Sequence, residues 1–256
     1  MSLLAAKILV GFVVGVLIGL SGVGGGVLLL PVLIFGLRVP PIVAVGSDAL
    51  FNFFTKVPAS LVHMKKGTVR RKVVVALAVG SIPGSILGVR VLMHIRHLYG
   101  DGVNNFIKTA VGVLLIVIPT LLLFQKRIEE RIANRPPTLK NFAGMAAIGL
   151  VAGVLVGMTS VGSGSIIMML LLLLYSFPPK VNVGTDIVHA VVLTGVTGFL
   201  HFRLGNVDPL LVVTLLIGSI PGGLVGSHLA TRVPMLWLRR ILCALLFVTG
   251  CRMLWA

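Results

Sequence analysis

The 256-residue chain is 57% apolar and only 11% charged, against about 25% charged in soluble domains. This excludes a soluble globular domain and places the chain among polytopic all-α membrane proteins. Its 22 Lys and Arg against 6 Asp and Glu would point to nucleic acid in a soluble protein. Here most basic side chains fall between apolar segments, so the charge reads as topology and no nucleic-acid partner is expected.

Apolar segments read at 3–20, 23–37, 42–62, 73–93, 104–124, 142–158, 161–177, 183–202, 208–230 and 237–255. Most suffice to span, since about 20 residues at ~1.5 Å rise cover a ~30 Å hydrocarbon core. Segments 23–37 and 161–177 are shorter and directly follow glycine breaks. The stretches 3–37 and 142–177 therefore read as tight hairpins, full-length or re-entrant. Only Lys7 precedes the first apolar run and no small-residue cleavage site follows it before the glycine break, so a retained N-terminus is expected. Cys243 and Cys251 lie eight apart in one predicted helix, ~12 Å and too far for a disulfide. They read as packing residues, and neither metal nor cofactor is expected.

The first break is Ser21-Gly22-Val23-Gly24-Gly25-Gly26 and the second Thr159-Ser160-Val161-Gly162-Ser163-Gly164-Ser165. Each glycine weakens a helix by roughly 1 kcal/mol relative to alanine, which predicts unwound backbone between two helical pieces. A helix restarting at Gly25 or Gly26, and another near Ser163, would present free N–H groups and the positive dipole end, which favour anions. Nucleotide motifs fail on spacing. A dinucleotide fingerprint needs a third glycine at Val27 or at Ile167, and no Lys-Ser/Thr follows either run. The plainer reading is that these glycines only let helices pack closely.

Residues 11–95 align with 149–233 at a constant offset of 138, with 28 identities in 85 positions. They include Gly24/Gly162, Gly26/Gly164, Pro40-Pro41/Pro178-Pro179, Asp48/Asp186, His63/His201 and Gly80-Ser81-Ile82-Pro83-Gly84/Gly218-Ser219-Ile220-Pro221-Gly222. Five segments per unit, an odd number, predict two inverted-topology repeats, 1–124 and 141–256. The basic linker 125–140 joins them into one folding unit. The loop 63–72 and this linker carry five Lys or Arg each. With Lys180, Arg232, Arg239 and Arg240 their side holds 14, against seven on the other side. Both termini are thus expected outside the cytoplasm of a cell-membrane protein.

The run Leu20-Ser21-Gly22-Val23-Gly24-Gly25-Gly26 ending in Pro31, the run Val183-Gly184-Thr185-Asp186 with His189-Ala190, and Gly205-Asn206-Val207-Asp208 together resemble the sulfite exporter TauE/SafE family. The resemblance covers nearly the whole chain. It implies a membrane permease for sulfite, organosulfonates or related sulfur-containing anions, a family with both exporters and importers. The second glycine run departs by its serines at Ser160, Ser163 and Ser165.

The residues themselves point to a compatible site. Hydroxyls of Ser21, Thr159, Ser160, Ser163 and Ser165, with N–H groups around Gly24, Gly25, Gly26, Gly162 and Gly164, would replace hydration around a small oxyanion. Alternatively each hydroxyl bonds its own helix. Asp48 and Asp186 are intramembrane carboxylates, functional by default at about 2.5–3.5 kcal/mol of insertion cost, or else helix caps. Lys56, eight after Asp48 and matched by Thr194, would orient the anion or neutralise Asp48, or else snorkel. Asn52 and His189 would complete the lining, whereas His63 and His201 fall at span ends and suggest interfacial roles.

The expected activity is secondary transport by alternating access. A carboxylate beside an anion site repels its ligand while ionised, so proton and anion would favour each other's binding and couple through Asp48 and Asp186. Two other classes remain: a cation carrier using the two aspartates, and a serine hydrolase suggested by Gly162-Ser163-Gly164-Ser165 with His189 and His201.

Overall fold

The computed structural model describes residues 3–21, 25–132, 141–164, 166–168, 170–171, 179–229 and 235–255. Among them there is no strand. In chain order the helices are α1 (Leu3–Ser21), α2 (Gly25–Pro31) continued by a π turn (Val32–Gly36), α3 (Pro41–Lys65), α4 (Arg71–Tyr99), α5 (Gly102–Ile132), α6 (Phe142–Thr159), α7 (Pro179–Arg203), α8 (Pro209–Leu229) and α9 (Met235–Trp255). Five of the described segments are long and apolar enough to cross a membrane. The chain is a multi-pass all-α membrane protein, and lipid-facing side chains such as Val79, Val213 and Phe247 stay exposed.

Helix ends follow local chemistry. Pro41 and Pro209 open α3 and α8, where a missing N–H is no loss. Gly67 and Gly205 take positive φ, 66° and 71°, to turn the chain between matched helices. The Asn141 side chain accepts a hydrogen bond from the Gly144 N–H at the start of α6. The first helical restart begins at Gly25. From Gly25 to Gly36 the helix has only twelve residues, ~18 Å, short of a ~30 Å core. Its matched segment at 161–177 is only partly within the described residues. Helix α5 runs to Ile132, so the first part of the predicted linker is helical, and 133–140 lie outside the described residues.

Four helix pairs make the main contacts: α4 with α6, α1 with α8, α3 with α7, and α5 with α9. Glycines set the first two. Gly80 faces the Ala146 and Leu150 backbone, and Gly218 faces that of Ile8 and Phe12. Gly84 meets Leu150 and Gly222 meets Phe12, while Gly88 meets Val154 and Gly226 meets Val16. Every contact recurs at the 138-residue offset. None leaves room for a Cβ, so these helices approach backbone to backbone, as small residues permit in membranes. The matched helices α3 and α7 run antiparallel. Gly46 lies against His201, Leu50 against Gly198, Phe53 against Gly195 and His63 against Gly184, so the pair is symmetric about its middle, near Thr55 and Leu193.

Overpacking a close contact costs about 1–3 kcal/mol. Gly80→Val and Gly218→Val should each lower the thermal unfolding temperature in detergent, and by similar amounts. A Cβ at Gly67 would meet open space. Gly67→Ala should therefore cost only about 1 kcal/mol, from its positive φ.

Candidate functional site

The second glycine break places its side chains against α3. Ser160 ends α6 in the left-handed conformation at φ 57°, and Gly162 follows at φ 99°. This turn brings Ser160 Oγ to within 2.7 Å of Asp48 Oδ2, to which it donates. Asp48, Asn52 and Lys56 are spaced i, i+4, i+8 and so share one face of α3. Asn52 Nδ2 donates to Asp48 Oδ2 and to the Asp48 carbonyl, both at 2.9 Å. Lys56 Nζ donates to Ser163 Oγ at 2.9 Å. Two charged groups of the first half are therefore held by two serines of the second.

The glycines serve close approach. A Cβ at Gly26 would lie 2.8 Å from the Ser160 carbonyl oxygen and 2.9 Å from Asp48 Oδ2, and one at Gly25 would lie 2.9 Å from Asn52 Oδ1. The start of α2, the second break and α3 thus meet at one place. The matched Gly164 lies beside the matched aspartate less tightly, since a Cβ there would stand 3.4 Å from Asp186 Oδ2. Asp186 is buried on α7, and Lys56 interacts electrostatically with both carboxylates. Lys56 lies next to the middle of the α3–α7 pair, so one ammonium serves both halves.

Several expectations change. Asp48 and Asp186 cap nothing, because α3 begins at Pro41 and α7 at Pro179, leaving both well inside their helices. Lys56 does not snorkel but turns inward to Ser163. Thr159 does follow the plainer reading, its hydroxyl donating to the Leu155 carbonyl at 2.6 Å. His189 is buried, with its Nε2 sharing a 2.8 Å hydrogen bond with Ser81 Oγ of α4. His201 is not interfacial: it is fully buried and its Nε2–H donates to the Gly157 carbonyl at 3.0 Å. His63 is half-buried beside the Thr68 hydroxyl at 2.9 Å. Cys243 is buried as expected of a packing residue, whereas Cys251 is exposed. Gly24, Ser165 and the Ser21 side chain lie outside the described residues.

The sequence reading missed a set of polar staples. Ser47 Oγ accepts from the Asp208 N–H and Thr185 Oγ1 accepts from the Arg70 N–H, both at 3.0 Å. They are matched at the same offset, and each hydroxyl precedes a site aspartate, which was the available signal. Ser85 and Thr197 join α4 to α7 at 2.9 Å.

Asp48 Oδ1, Asn52 Oδ1 and Asp186 Oδ1 are buried without a hydrogen-bond partner. Each such acceptor costs about 1–3 kcal/mol when nothing meets it. The fold is a membrane-spanning helical bundle with buried charges gathered beside helix breaks, and its family and relatives are those of membrane transporters. The chain belongs to the sulfite exporter TauE/SafE family, whose model matches residues 7–253. It is 37% identical over 251 residues to the probable membrane transporter protein YjnA of Bacillus subtilis, covering 96% of this chain and 98% of that one. It is 27% identical over 270 residues to YunE of the same organism, another probable membrane transporter protein, covering 97% and 96%. The probable membrane transporter protein MJ0441 of Methanocaldococcus jannaschii is 27% identical over 216 residues, covering 80% and 74%. No solved structure gives a significant match.

Removing one member of a buried charge cluster leaves its partners uncompensated, at about 3–5 kcal/mol. Lys56→Met should therefore destabilise the protein strongly in detergent unfolding, and Lys56→Met with Asp186→Asn should recover part of the loss.

Proposed function

We propose that the protein is a secondary transporter moving sulfite, an organosulfonate or a related small sulfur-containing anion by alternating access, coupled to protons. The observation that carries this reading is the contact between the second glycine break and α3, with Lys56 on Ser163 and Asp48 on Ser160. An anion that takes the place of Ser163 at Lys56 gains a charge-assisted partner and frees the break to move. The hydroxyls of Ser160 and Ser163 and the Asn52 amide then supply neutral donors. The family to which the chain belongs, described as sulfite exporters, supports the substrate class.

The halves 1–124 and 141–256, joined by 125–140, are read as inverted repeats forming one folding unit. The antiparallel course of α3 and α7 and the recurring glycine contacts support this. The membrane is read as the inner membrane, with both termini outside the cytoplasm. When both are ionised, two carboxylates outnumber the one ammonium, so an anion entering low dielectric is favoured when a proton arrives with it. The open Oδ1 atoms of Asp48 and Asp186 offer the proton a place.

The other two readings fit less well. A carried cation would share its carboxylates with the Lys56 ammonium, whose charge acts on both. For serine hydrolysis, neither His189 nor His201 hydrogen-bonds Ser163; their Nε2 atoms are engaged elsewhere and their Nδ1 atoms have no partner.

The test is flux into liposomes of sulfite, sulfate, taurine and an aromatic sulfonate, with and without a pH gradient. Asp186→Asn should retain anion binding and lose acceleration by the gradient. Ser163→Ala should weaken anion binding by roughly tenfold, the equivalent of about one hydrogen bond to a charged group. Full proton-driven flux in Asp186→Asn would overturn the coupling.

A further inference from the structure

Away from the charged cluster, the outer face of the α3–α7 pair holds an apolar groove of about 760 Å³, within the range of ligand sites. Leu50, Phe53 and Phe54 of α3 form one wall, Gly195 and Phe199 of α7 the other, and Val212 of α8 closes the end. Phe54 and Phe199 are each about half exposed. The α7 side of the groove runs from Val191, at the middle of the helix pair, to Phe202 near the end of α7. That is a rise of ~16 Å, about half of a ~30 Å hydrocarbon core. The groove therefore has the length of one leaflet's acyl chain.

Its space depends on one residue. A Cβ at Gly195 would come within 3.0 Å of the Phe53 ring, and a larger side chain would fill the floor. The matched position in the first half is Val57, so the opening distinguishes the two halves. At the outer end, the guanidinium of Arg203 lies over the Phe199 ring, 5.9 Å from its centroid. The nearby carboxylate is Asp208, beside Pro209 of the lining, and its Oδ1 is occupied by the Leu211 N–H. Arg203 thus places a cationic fork above an apolar channel.

We propose that this groove is a specific site for an anionic glycerophospholipid, with an acyl chain between α3 and α7 and its phosphate on Arg203. The surrounding bilayer supplies the chain, and charge complementarity at Arg203 selects the headgroup. Ring stacking on Phe199 holds the guanidinium at the channel mouth and lowers the entropy lost when it binds. Lipid there would brace α3 and α7, the helices that carry Asp48, Lys56 and Asp186.

Native mass spectrometry of the full chain, extracted in mild detergent and titrated with phosphatidylglycerol or phosphatidylcholine, tests the assignment. Both lipids offer Arg203 a phosphate, but the choline cation of phosphatidylcholine would oppose the guanidinium, so the native protein should retain one phosphatidylglycerol with roughly tenfold preference. Arg203→Gln should bind both lipids alike. Gly195→Val, the residue found at the matched position, should lose both, and Phe199→Ala should weaken both should the valine variant fail to fold. Equal retention of the two lipids by the native protein, an undiminished preference in Arg203→Gln, or a dimer that excludes lipid from this face would overturn it.

Discussion

The structure depends on satisfying charge and broken backbone inside the protein, because the bilayer core offers neither water nor hydrogen bonds. Asp48 and Lys56 on α3 are held by Ser160 and Ser163 of the second break, and the unwound turn is in turn fixed by those contacts. Neither partner is stable alone: a carboxylate without its serine would be a buried charge, and a helix break without its contacts an unsatisfied backbone. Gly25 and Gly26 then let α2 close on the same spot. Placement of the second break, α2 and α3 follows from this single cluster.

Near-symmetry explains the layout around it. Glycine stripes pair α4 with α6 and α1 with α8 through contacts that recur at one offset, and the hydroxyls of Ser47 and Thr185 staple equivalent turns. The symmetry fails where it would be costly. A lysine at both position 56 and position 194 would set two ammonium groups together near the centre of the α3–α7 pair. Position 194 is a buried threonine bonded to the Ala190 carbonyl instead. Likewise Ser160 and Ser163 have Gly22 and Gly25 as counterparts, so the serine ties to Asp48 and Lys56 have no equivalent in the other direction.

This asymmetry connects structure to transport. A site with two carboxylates, one lysine and two serines from an unwound turn has more acceptors than donors. Under the proposed mechanism, a ligand that brings a proton and displaces a serine would change which half is tied to which. In the proposed alternating-access cycle, the ties of Ser160 and Ser163 to α3 are the contacts that a second arrangement of the break would exchange.

Much of this was legible in the sequence. Composition determined a helical membrane protein, since so apolar a chain has no other way to satisfy its backbone in lipid. The glycine runs determined the helix breaks, and the constant offset between halves singled out Asp48, Asp186 and the packing glycines. Only the tertiary structure decided partners. Ser160 with Asp48, Lys56 with Ser163, and His189 with Ser81 are each separated by more than 100 residues, and helical periodicity gives the face of a side chain but not the helix that it meets. It also decided between the two readings of Asp48 and Asp186, since helices that begin at Pro41 and Pro179 leave both inside a helix and not at its cap. The burial of His201 was decided in the same way: periodicity placed it at a span end, and the packing of α7 against α6 at Gly157 enclosed it.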